Sequence, residues 1–244
     1  YTVRMSYEHA LQWLEKAKSS EAWGYHPGGT PRGEPTVWAC AAGMDVPLSW
    51  MKSNDLEWAI LATPAALSMR VELASFRDSL VQRVLTMRGE SVPEATHVDG
   101  SLVGWSWVTE SFSWLEPTAF GIISLVRCGH ENHPRVKEGR ALIKDRVCTD
   151  GGWNYGNGSV LGKDLMSYQH STGWALLALP VGDELVAAGI ERLRPILKTP
   201  STLSLSVAAL AAGFHGVDPS PWLDALRARQ SADGSFGLGR VDRT

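Results

Sequence analysis

Polar and apolar positions along the chain sort into helical stripes separated by breaks rich in glycine and tryptophan. Tyr7 to Ser19 carries apolar residues at Tyr7, Ala10, Leu11 and Leu14, the i, i+3, i+4, i+7 spacing of one buried helix face. Ala22 to Gly33 holds glycines and prolines that no helix continues through, so it reads as a loop carrying Trp23 and Tyr25. Pro35 suits the first turn of a second helix, where its missing N–H costs nothing, and this leaves Glu34 at the helix mouth. Between Pro47 and Met87 the pattern predicts two or three further helices, with a break or kink at Pro64. Gly89 to Gly104 reads as a polar connector. A helix opening at Pro117 is expected to end by Gly129, and others to cover Pro134 to Val147, Gly173 to Leu179, Glu184 to Leu197, Thr202 to Phe214 and Pro221 to Gln230. No stretch alternates with period two over a useful length, so the class is all-α, with paired helices joined by long loops.

The breaks share a grammar. Trp105 lies eleven residues before Glu116-Pro117-Thr118, and Trp23 lies eleven residues before Glu34-Pro35-Thr36. A looser copy runs from Asp150-Gly151-Gly152-Trp153-Asn154-Tyr155 to Ser171-Thr172-Gly173-Trp174, and a fourth trace closes the chain as Gln230-Ser231-Ala232-Asp233-Gly234-Ser235-Phe236-Gly237. A recurring unit of this kind predicts stacked copies of one helical hairpin, as a solenoid or a closed ring.

Composition narrows the function classes. The net charge of −3, with no Lys/Arg cluster, argues against a nucleic-acid or anionic-membrane partner. Three scattered cysteines, Cys40, Cys128 and Cys148, fit free thiols in a reducing compartment, and the expectation is a cytoplasmic protein. No apolar run reaches the roughly 18 residues a membrane span needs, and no signal-peptide pattern opens the chain. At 244 residues the chain reads as a single repeat domain, residues 1–244, with truncation at either end left open because the pattern starts mid-unit at Tyr1. The unusual entry in the composition is eleven tryptophans against five tyrosines and five phenylalanines. Several of them sit in the glycine-rich loops.

Gln230-x-x-Asp233-Gly234-Ser235-Phe236-Gly237 resembles the QW repeat of squalene and oxidosqualene cyclases, with Phe in the usual Trp place, and Asp150-Gly151-Gly152-Trp153 matches its core. Glu-Pro-Thr opening a helix is similar to what occurs in bacterial proteins built of prenyltransferase/squalene-oxidase repeats. The resemblance covers most of the chain and is weakest from Pro47 to Gly89. It implies an α/α toroid, with inner and outer helices alternating around a cavity in which the family's enzymes bind isoprenoid chains. Two family features are missing: no Asp-x-Asp-Asp acid motif occurs, and Cys148-x-Asp150 runs in the reverse order of the prenyltransferase zinc pair. No cofactor is expected. The oligomeric state is not legible.

Candidate catalytic residues are Glu116, Glu34 and Asp150. Each glutamate either answers the positive end of its helix or points into a cavity as an acid, base or ligand-binding group. Candidate ligand-binding residues are Trp23, Tyr25, Trp105, Trp107, Trp114, Trp153, Tyr155 and His170; the aromatic ones either stack hairpin on hairpin or line a cavity. If the stretch around Trp105 is extended, Trp105 and Trp107 share one side and Ser106 faces solvent. Cys128, His130 and His133 could supply zinc ligands, but a capped connector accounts for them better, and no metal site is expected. Three functions stay open: an apolar small-molecule (isoprenoid) binder or enzyme, a non-catalytic repeat scaffold, and a carbohydrate-active enzyme.

Overall fold

The computed structural model describes residues 2–92, 98–195 and 201–236. It is mostly helical. The helices are α1 (Thr2–Ala17), α2 (Gly33–Ala41), α3 (Leu48–Ser53), α4 (Thr63–Ala66), α5 (Ala74–Thr86), α6 (Leu115–Arg127), α7 (Pro134–Asp145), α8 (Gln169–Ala178), α9 (Val186–Leu193), α10 (Thr202–Phe214) and α11 (Ser220–Arg227). Short 3-10 turns cover Glu57–Leu61 and Val71–Leu73, and one antiparallel ladder pairs β1 (Ser159–Val160) with β2 (Lys163–Asp164).

Two kinds of helix alternate. α6 buries Leu115, Pro117, Thr118, Ala119, Phe120, Gly121, Ile122, Ser124 and Leu125, so it is enclosed on every side. α7 buries only Arg135, Val136, Gly139, Leu142 and Ile143 and leaves its other charged positions outside the core, as a surface helix does. Contacts follow the same division: α2 packs on α4, α4 on α6, α6 on α8 and α8 on α10, while α7, α9 and α11 lie against α6, α8 and α10. One hydrophobic core runs from Val37 to Trp222 through these helices, and Trp23, Ala39 and Met44 form a smaller cluster against Leu11 and Leu14. Each fully enclosed Leu or Ile contributes about 1.5–3 kcal/mol to such a core.

Several elements depart from the sequence reading. Pro64 does not break a helix; it occupies the first turn of α4, where its absent N–H is harmless. The stretch from Pro47 to Met87 is more fragmented than expected, with three helices separated by 3-10 turns. The helix expected from Gly173 begins at Gln169, and the one expected over Glu184 to Leu197 is Val186–Leu193, with 196–200 outside the described residues. Gly237 of the fourth repeat trace also lies outside them. No described helix is long and apolar enough to cross a membrane.

Candidate functional site

The repeated tryptophans come first, because they position everything else. The Trp23 N–H donates to Thr36 Oγ1 at 3.1 Å, the Thr36 hydroxyl donates back to the Trp23 carbonyl at 3.2 Å, and the indole N–H donates to the Leu14 carbonyl at 2.8 Å. Trp105 does the same with Thr118 (3.0 and 3.4 Å) and the Val84 carbonyl (2.8 Å). Trp153 does so with Thr172 (2.9 and 3.2 Å) and the Ile143 carbonyl (2.7 Å). Each indole thus donates to a carbonyl in the last turns of one helix while its backbone is tied to a threonine in the first turn of the next. Gly104 and Gly152 precede two of these tryptophans because a Cβ there would collide with the threonine hydroxyl. Trp222, although on α11, also gives its indole N–H to a helix end, the Leu193 carbonyl, at 3.1 Å.

These residues are locks. Trp23 is 2% exposed, and Trp105 and Trp153 have no exposed surface, so the expected ligand wall of loop indoles does not form from Trp105 and Trp153. The Arg135 guanidinium covers the Trp105 face at 4.1 Å and Lys18 Nζ lies 5.0 Å over Trp23. Ser106, expected in solvent, is 5% exposed, because its hydroxyl turns inward to donate to the Val108 carbonyl at 2.7 Å. The loop curls, and strand alternation does not apply to it.

A second aromatic set fills the position two residues after each repeated threonine: Trp38, Phe120 and Trp174. Trp38 stacks on Trp174 with centroids 5.6 Å apart, and Phe120 meets Trp174 at 4.9 Å and Trp38 at 5.8 Å. Trp58 stacks on Phe120 at 5.5 Å and meets Trp107 edge-on at 4.8 Å. Phe120 is buried, whereas Trp38, Trp58, Trp107 and Trp174 are half-buried, which makes an indole platform reachable from outside. None of the four donates its indole N–H to another described residue. Of this platform only Trp107 had been singled out as a candidate from sequence; the fixed offset from the threonines was the available signal for Trp38 and Trp174, and Trp58 carried no such signal.

The polar candidates sit at helix mouths. Glu116, in the first turn of α6, accepts on Oε1 from the Ser171 hydroxyl at 2.8 Å and lies 3.2 Å from His170 Nε2. Beside them His170 stacks nearly parallel to Tyr168 at 6.2 Å, and Tyr155 meets Tyr168 at 5.0 Å and His170 at 5.9 Å. Glu34 Oε2 accepts from the Tyr25 hydroxyl at 2.8 Å. Partial burial and the Glu34 carboxylate push the Tyr25 phenol up to about 12, so it stays a donor. Trp114 is exposed and uses its backbone N–H on the Trp105 carbonyl.

Asp150 is spent elsewhere. Its carboxylate accepts from the Ser167 hydroxyl (2.9 Å), the Ser167 N–H (3.2 Å) and the Gly152 N–H (3.2 Å), and pairs with Arg192 at 3.0 Å. Burial alone would raise its pKa, but the hydrogen bonds from Ser167 and Gly152, with Arg192, outweigh that and hold it below the usual carboxylate range. A carboxylate so held clamps a loop and does not offer a proton. Among the described residues no three His, Cys, Asp or Glu side chains converge on a metal site. His133 Nδ1 caps α7 by accepting from the Arg135 N–H at 3.1 Å, and the Cys128 thiol approaches the Pro64 carbonyl at 3.6 Å.

Neither family models nor curated proteins match the chain.

Proposed function

We propose that the chain is a partial α/α toroid that binds an isoprenoid or similar apolar ligand on the platform of Trp38, Trp58, Trp107 and Trp174, and that it does not cyclise that ligand by protonation. The toroid reading rests on curvature: α4 and α6 lie between α2 and α8 in the row of packed helices, yet Trp38 and Trp174 stack at 5.6 Å, which a straight row would forbid. The observation that carries the ligand reading is the platform itself, four half-buried indoles contributed by separate segments at the edge of the core, none of which gives its indole N–H to a described residue. An apolar chain laid on such a surface gains about 0.8 kcal/mol per buried methylene.

The absence of protonation chemistry follows from how the carboxylates are used. Glu116 accepts from Ser171, Glu34 accepts from Tyr25, and Asp150 is ion-paired to Arg192. All three receive hydrogen bonds and none presents a proton toward the indoles.

Calorimetric titration with farnesol, geranylgeraniol and farnesyl diphosphate tests the reading, with a soluble gluco-oligosaccharide as the carbohydrate arm. Binding in the micromolar range is expected for at least one isoprenoid, weakened roughly tenfold by Trp174→Ala, equivalent to about 1.4 kcal/mol. Incubation with squalene is expected to give no cyclic product. No isoprenoid binding would favour the scaffold reading, and binding of the oligosaccharide alone would favour the carbohydrate one.

A further inference from the structure

Next to the platform, and sharing Trp38 with it, a cleft of about 550 Å³ opens between α1, the Trp23 loop, α2 and the chain's last described residues. Its walls carry the solvent-reached rings of Trp13, Tyr25, Trp38 and Phe236, the exposed His26 imidazole, and one carboxylate, Glu34. Among the described residues no lysine or arginine lines it. Glu34 has a single described partner, the neutral Tyr25 hydroxyl, on Oε2. The nearby Arg32 guanidinium pairs with Glu57 instead, at 3.5 Å. The full negative charge of Glu34 outweighs the roughly half charge at the N-terminus of α2 beside it.

Several aromatic walls and a carboxylate with no ion-pair partner among the described residues favour one chemistry. Ring faces are electron-rich and attract a soft, weakly hydrated cation, most strongly where the cation is partly desolvated. A carboxylate at the same cleft adds attraction that a neutral ligand of the same shape would not feel. The molecule already uses half of this device internally, since the Lys18 ammonium, which does not line the cleft, rests 5.0 Å over the Trp23 ring.

We propose that this cleft is a binding site for an alkylammonium group, quaternary or tertiary, held among the rings of Trp13, Tyr25, Trp38 and Phe236 that line it, with Glu34 as the counter-charge. The site shares Trp38 with the platform but rests on its own lining and Glu34, not on the isoprenoid reading; Trp58, Trp107 and Trp174 do not line it.

The test is calorimetric titration of the whole chain with choline and tetramethylammonium chloride, at ionic strength matched with sodium chloride, against 3,3-dimethylbutanol, the uncharged carbon isostere of choline. Saturable binding of both cations at one site, at least tenfold tighter than the isostere, is expected. Glu34→Gln is expected to reduce that discrimination at least threefold. Trp13→Leu, on a half-buried ring, is expected to weaken the cations more than the isostere, and unchanged far-UV circular dichroism and Tm in both variants separate the effect from unfolding. Equal affinity for cation and isostere, failure of both cations to bind, or full discrimination in Glu34→Gln would each overturn the proposal. None of these results bears on farnesol binding to Trp174→Ala.

Discussion

Trp153 and Trp174 belong to the same repeat unit and do opposite jobs. Trp153 has no exposed surface, gives its indole N–H to the Ile143 carbonyl and, with Leu176, crowds Gly189, where a Cβ would sit 2.8 Å from Leu176 Cδ2 and 3.0 Å from the Trp153 ring. Trp174 is half-buried at the edge of the hydrophobic core, gives its indole N–H to no described residue and packs its ring against those of Trp38 and Phe120. The contrast recurs in the first unit as Trp23 against Trp38. Residue type therefore says little about role in this protein; what separates a lock from a platform is whether the indole N–H closes a helix end.

The comparison is broken most severely by removing a lock. Trp105→Ala should cost about 3–5 kcal/mol, because the ring leaves a cavity and the Val84 carbonyl loses its donor. In a chain of this size that lowers Tm on the order of 10 °C by scanning calorimetry. Trp174→Ala, the platform counterpart, should cost less than about 2 kcal/mol, since its ring is only partly withdrawn from water. Equal losses would erase the distinction.

Smaller changes sharpen it. Gly121→Ala should destabilise by about 1–3 kcal/mol, because the new methyl would lie 2.7 Å from the Trp105 ring. Gly213→Ala on α10, where the nearest atom is 3.9 Å away, should be neutral or gain about 0.5–1 kcal/mol from helix propensity. Thr118→Val keeps the shape but strands the buried Trp105 N–H, and should cost about 1–3 kcal/mol in urea unfolding.

The smallest effect is the pH dependence of the Asp150 clamp. Its folded pKa lies below the ordinary carboxyl value, so its contribution is complete above about pH 5 and fades as pH falls through the folded value. The stability gap between wild type and Asp150→Asn should therefore be constant near neutrality and shrink at acid pH. A gap that widens on acidification would contradict the clamp.

Much of this was legible from the pattern of apolar positions. α1, α6, α7, α10 and α11 overlap the stretches expected to be helical, because long amphipathic or apolar runs bounded by Gly and Pro leave few alternatives. The pairing of Trp23 with Thr36 and Trp105 with Thr118 was present as spacing, and its third copy survived a longer loop, since Trp153 and Thr172 are brought together by the β1–β2 hairpin excursion. Other features depend on contacts remote in the chain. Arg192 as the partner of Asp150, and His170 as the neighbour of Glu116, follow from packing of separate hairpins and leave no local trace. Ser106 was misread because alternation applies to an extended strand, and this loop turns its hydroxyl back on itself.

The division between locks and platform is tested most directly by the indole region of a ¹H–¹⁵N spectrum of the eleven tryptophans, recorded in D₂O and again with farnesol. The indole N–H signals of Trp23, Trp105, Trp153 and Trp222, each bonded to a helix-end carbonyl, should persist longest and stay in place when ligand is added. Those of Trp38, Trp58, Trp107 and Trp174 should exchange first and shift with farnesol. Rapid exchange of the first set, or farnesol shifts confined to it, would contradict the assignment of the two roles.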